Sequence, residues 1–138
     1  MSYEVTIKTE KPLDLLTFLA LQDFDVESLG DNVYRVVRGD ELPVFMRVDD
    51  VRIYFEVDLG PVAAVDSKDF FNRLLDLNTE ILPVAIGINS ANPEDERLVL
   101  VESRVTVDLC DAEVLAVFDA LELAVDRLEP VLAEALTA

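Results

Sequence analysis

Residues 43–58 read PVFMRVDDVRIYFEVD, and this stretch decides the fold. Apolar residues alternate with polar ones on both sides of Asp49-Asp50: Val44, Met46 and Val48 before it, Val51, Ile53 and Phe55 after it. Successive residues of a strand point to opposite faces, so each half predicts a strand with one buried face. Two such runs joined by a short polar turn predict a β-hairpin. With Asp49-Asp50 as the turn, Val48 faces Val51, Met46 faces Ile53 and Val44 faces Phe55. These pairs make a consistent core face. The other face then pairs Phe45 with Tyr54 and Arg47 with Arg52, and like charges placed directly opposite are unfavourable without a partner.

Outward from the hairpin, the same alternation predicts strands over 24–29 and 32–38, separated by the turn signal Gly30-Asp31-Asn32. Residues 3–8 form a further short edge strand. Between them, Pro12 opens a helical pattern through Leu13, Leu16, Phe18 and Leu19 that fades near Gln22, because proline suits a first helical turn. After Gly60-Pro61, Asp66 or Ser67 caps a helix carrying Phe70, Phe71, Leu74, Leu75 and Leu77. It ends near Asn78 or Thr79, ahead of Pro83. Residues 84–89 and 98–107 are two near-continuous apolar strands joined by an acidic loop, a pattern of strands covered on both faces. Asp111 caps a long last helix whose stripe runs through Val114, Val117, Phe118, Leu121, Val125, Leu128, Leu132 and Leu136. Pro130 is expected to kink or end it.

The element order is therefore β-α-ββββ-α-ββ-α. Helices outside a regular βαβ rhythm imply an α+β fold, an antiparallel sheet with helices packed on it. The 138 residues form a single domain, and 51% hydrophobic composition supports a sizeable core.

Composition narrows the chemistry. The chain has no histidine, one cysteine (Cys110) and a net charge of −18, from 29 acidic and 11 basic residues. Such charge repels nucleic-acid phosphates and anionic membrane surfaces. One cysteine permits no internal disulfide. No signal peptide or membrane-length apolar run is present, so a cytoplasmic protein without membrane insertion is expected. Solubility, adaptation to high salt and attraction to basic partners are all readings of the acidity.

No histidine is available to activate a nucleophile. Cys110 reads as a structural residue rather than a reactive thiol. The clusters Asp23-Phe24-Asp25, Asp49-Asp50 and Glu94-Asp95-Glu96 lack calcium-loop spacing and read as solvated turns. Four dispersed glycines make neither a phosphate loop nor a dinucleotide fingerprint. No catalytic residue, metal ligand or cofactor is assigned, and an enzyme is not expected.

One constellation stands out. Phe45, Arg47, Arg52 and Tyr54 share the outward face of the hairpin, with Arg35 and Arg38 on the preceding strand. Arginine and aromatic residues together are typical anchors of protein interfaces. The competing reading is that acids from a nearby helix neutralise these arginines and leave a solvated face.

The motif Glu41-Leu42-Pro43-Val44-Phe45, the strand after it, and Phe70-Phe71-Asn72-Arg73-Leu74-Leu75 running to Ile81-Leu82-Pro83 resemble the bacterial YjfI-like family, a domain of unknown function. The resemblance spans the chain from about the first helix to the last and supplies no catalytic residue. The element order also resembles the type III secretion chaperone-like fold. These resemblances imply a bacterial homodimer with a protein partner, a phage-shock-protein-A-like membrane-stress protein. Three function classes follow: a non-enzymatic, chaperone-like protein-binding module; a carboxylate-based small-molecule binder or enzyme; and a structural domain without a dedicated ligand.

Overall fold

A computed structural model of the chain describes residues 2–8 and 13–137. The elements are β1 (Thr6–Ile7), β2 (Leu13–Asp14), α1 (Leu15–Leu21), β3 (Asp25–Gly30), β4 (Val33–Val37), β5 (Val44–Val48) and β6 (Arg52–Pro61), then α2 (Lys68–Leu77), β7 (Ala85–Asn89), β8 (Arg97–Val105) and α3 (Asp111–Thr137). A single 3-10 turn, Val62–Ala64, separates β6 from α2. The main sheet is antiparallel with strand order β3-β4-β5-β6-β8-β7. The α+β architecture and the order of the principal elements are as the sequence predicts.

The residue chemistry explains the boundaries. Asp31 and Asn32 both take positive φ, 54° and 61°, between paired Gly30 and Val33. A two-residue turn of that hand matches the twist of the strands it joins. Ser67 caps α2, its Oγ accepting from the Phe70 N–H at 3.1 Å. Ahead of α3, Cys110 is half-buried, and its carbonyl accepts from the Val114 N–H. Asp111, expected as the cap, is instead the first residue of the helix.

Three other expectations change. Thr6–Ile7 does not join the main sheet; it pairs with Leu13–Asp14 in a separate two-stranded ladder. Helix α1 therefore starts at Leu15, capped by Asp14, and Pro12 lies outside the described residues. Helix α3 runs through Pro130 to Thr137 rather than ending there; proline forfeits one backbone hydrogen bond, and the packing of the preceding turns holds the helix together.

The core lies between one face of the sheet and the helices. Leu15, Phe18 and Leu19 of α1, Phe70, Leu74 and Leu77 of α2, and Val114, Val117, Phe118, Leu121, Val125 and Leu128 of α3 are buried in it. The sheet contributes Val36, Val44, Met46, Val48, Ile53, Phe55, Val57, Leu98 and Leu100. Phe118 packs at 4.6 Å from Phe24 and edge-on at 5.7 Å to Phe55, tying α3 to the sheet.

Candidate functional site

No described helix packs on the opposite sheet face. On β3 to β8 it presents Asp25, Glu27, Val33, Arg35, Phe45, Arg47, Arg52, Tyr54, Glu56, Val101 and Ser103, all exposed or half-buried. The near-continuous apolar runs of β7 and β8 mean cover on both faces only at the centre of β8, where Leu98, Val99 and Leu100 are all buried; elsewhere their outward residues are half-buried or exposed.

The hairpin register differs from the sequence expectation by two residues. Met46 pairs with Phe55, Arg47 with Tyr54, and Phe45 with Glu56. The cause is Asp49. Its Oδ1 accepts from the N–H groups of Val51 and Arg52 at 2.8 and 2.7 Å, and its own N–H donates to the Arg52 carbonyl. Asp49 therefore pairs with Arg52, and Asp50-Val51 form the turn. These two backbone hydrogen bonds also hold the Asp49 carboxyl below its ordinary range. A shift by two residues preserves the faces, so Phe45, Arg47, Arg52 and Tyr54 do share one surface. Arg47 and Arg52 are not opposite each other.

Arg47 instead lies over the Tyr54 ring, 4.3 Å from its centroid, an attraction between cation and ring quadrupole. Phe45 sits between Arg35 and Glu56 in one cross-strand row. Glu56 accepts from Asn89 Nδ2 of the edge strand at 3.2 Å. Val33, Phe45, Arg47, Tyr54, Glu56 and Val101 line an open groove of about 370 Å³. Glu56, Asn89 and Val101 were not singled out in the sequence, because only the long-range pairing of β6, β7 and β8 brings them to the hairpin.

The arginines divide by location. Arg38, Arg73, Arg97, Arg104 and Arg127 each form an ion pair. Among the described residues Arg35, Arg47 and Arg52 form none, and all three lie on the open face. Arg38, grouped with them in sequence, belongs elsewhere. It lies over Phe24 and binds Glu122 and Asp119 of α3. Helix acids therefore neutralise Arg38 but not the three arginines of the face.

The sheet also buries one acid. Glu102 shares the inward side of β8 with Leu98 and Leu100, opposite Phe55. Burial pushes its carboxyl above the ordinary range, and Arg104 offsets only part of that. Among the described residues, no group of three or more cysteine or acidic side chains is placed to hold a metal ion. No described helix is long and apolar enough to cross a membrane.

No family model matches the chain, so membership of the YjfI-like family is not shown, and no curated protein matches it. Solved structures do. A chain of the heterodimeric ExoU–SpcU complex from the type III secretion system of Pseudomonas aeruginosa superposes with a TM-score of 0.68 at 22% identity, covering 85% of this chain and 96% of that one. YbjN from E. coli superposes with a TM-score of 0.57 at 17% identity, covering 88% of this chain and 87% of that one. The fold is thus type III secretion chaperone-like.

Proposed function

We propose that this chain is a non-enzymatic protein-binding module of chaperone-like architecture, and that a protein partner docks on the open face through Phe45, Arg47, Arg52 and Tyr54. One observation carries this reading: three arginines that form no ion pair among the described residues stand beside two half-buried aromatic rings on a face that no described helix covers. In a chain with 29 acids, an arginine finds an acidic neighbour easily, and those elsewhere in the described structure do. A partner segment that brings aspartate or glutamate between aromatic or aliphatic residues completes the face, since guanidinium groups bind carboxylates strongly and Tyr and Arg anchor interfaces. The solved neighbour sits in a heterodimeric complex, which supports a protein as the ligand. The resemblance seen in the sequence makes a phage-shock-protein-A-like protein the first partner to test.

A second reading has its own observation. Along β6 the outward charges run from Arg52 at the hairpin end to Glu56 and then Asp58. A second copy turned by 180° about Tyr54 would set Arg52 over Glu56, whereas Asp58 already pairs with Arg97, so the face is also suited to a homodimer.

Phe45→Ser/Tyr54→Ser and Arg47→Glu/Arg52→Glu variants test both readings. Each is expected to lose partner recovery, self-association, or both, with the circular dichroism spectrum unchanged. Docking through the arginines should also weaken as salt rises. Variants with wild-type sedimentation and wild-type partner recovery would refute the proposal.

A further inference from the structure

The two edges of the main sheet are protected differently. Strand β3 carries Asp25 and Glu27 and a register irregularity between Ser28 and Gly30. Charges and bulges are devices that keep an exposed edge from pairing with another chain. Strand β7, at the other edge, reads Ala85-Ile86-Gly87-Ile88-Asn89. It has no charge, no proline and an unbroken register with β8.

Strand β7 has a different protection. In an antiparallel ladder, residues alternate between bonding to the neighbouring strand and turning both backbone groups away from it. Ile86 is turned away from β8. Its N–H donates to Asn78 Oδ1 at 2.6 Å, and its carbonyl accepts from Asn78 Nδ2 at 3.4 Å. One amide side chain at the end of α2 thus occupies both positions that a further strand would use. Ile88, two residues on, has the same orientation and is 49% exposed. No side chain of the described residues caps it as Asn78 caps Ile86.

We propose that the β7 edge is an interaction surface for β7 of a second copy, and that Asn78 holds it closed. The edge is self-complementary. In the antiparallel register centred on Gly87, Ile86 of one copy opposes Ile88 of the other, and the reverse pair follows by two-fold symmetry. Each pair exchanges two N–H···O bonds, so this register gains four, and all four involve an Ile86. Capping Ile86 in both copies removes the whole set. A register centred on Ile88 retains only a single pair. Because β7 is uncharged, the pairing sets no charged side chains of the two strands opposite each other, and the repulsion between the net charges of the two copies is screened at 0.15 M salt, where the Debye length is about 8 Å.

Sedimentation equilibrium at that ionic strength tests the proposal. Asn78→Ala should raise the mass above that of wild type, to twice it where the wild type is a monomer. Asn78→Ala/Ile88→Pro should return to the wild-type mass, since proline removes the Ile88 N–H, and Ile88→Pro alone should leave it unchanged. A folded Asn78→Ala protein with wild-type mass overturns the proposal, as does a mass increase that survives Ile88→Pro. Amide hydrogen exchange on the wild-type protein gives a test independent of any variant's folding. Ile86 should be protected and Ile88 should exchange rapidly; equal protection overturns the closed-edge assignment. Neither result depends on Phe45, Arg47, Arg52 or Tyr54.

Discussion

Replacing Glu102 with methionine should stabilise the protein at alkaline pH. The Glu102 side chain is 1% exposed and lies on the core side of β8 opposite Phe55. Arg104 Nη1 is in ion-pair contact with Oε1 and also donates to the Ser103 carbonyl, while Oε2 has no hydrogen-bond partner among the described residues. A buried polar group left unsatisfied costs about 1–3 kcal/mol. Attraction to Arg104, which is 27% exposed, offsets part of this cost. Methionine keeps an unbranched side chain of similar length, removes both oxygens and frees Arg104 to turn toward water. The net expectation is a gain of about 1–2 kcal/mol at pH 8.

The pH dependence follows from the direction of the Glu102 shift. Burial raises the folded-state pKa above its unfolded value, which is near 4.3 for glutamate. The folded state therefore holds the proton more tightly. Below the unfolded value the carboxyl is neutral in both states and the contribution is fully present. As pH rises through the folded value that contribution is lost. Urea unfolding of wild type and Glu102→Met, at pH 5 and pH 8, should show the advantage of the variant growing with pH. A variant less stable than wild type at pH 8 would refute the reasoning and show that the pair with Arg104 outweighs the burial. A difference independent of pH would refute it equally.

Two further predictions concern the scaffold behind the open face. Phe118→Ala removes a ring that contacts both Phe24 and Phe55 and should cost about 3–5 kcal/mol in equilibrium unfolding; a loss under 1 kcal/mol would mean that α3 is not anchored there. Ser67→Ala removes the cap that accepts from the Phe70 N–H and should cost about 1 kcal/mol, read as a lower denaturation midpoint with unchanged slope.

The fold was legible where residue chemistry acts locally. Alternation across residues 43–58, the apolar stripe of the last helix and the Gly30-Asp31-Asn32 turn each fix an element without help from distant residues. Errors arise where one side chain changes the local pattern or where distant segments meet. The carboxylate of Asp49 draws in two backbone amides and moves the hairpin register by two residues. Two is even, so the face shared by Phe45, Arg47, Arg52 and Tyr54 survives; a slip of one would have dissolved it. Arg38 could not be separated from its neighbours in sequence, because its carboxylate partners lie on α3, more than eighty residues away. Glu102 is marked in the sequence by sharing parity with Leu98 and Leu100 on an inward strand face. Asn78 marked a helix end, and its bonds to Ile86 depend on how the chain returns into β7.

The most direct test of the central claim compares wild type, Phe45→Ser/Tyr54→Ser and Arg47→Glu/Arg52→Glu as baits for a purified candidate partner, with sedimentation of each bait alone. The account predicts that both variants fold like wild type and lose the partner, the self-association, or both. Full partner recovery and unchanged sedimentation with both variants would place the binding surface elsewhere and contradict the assignment of the open face.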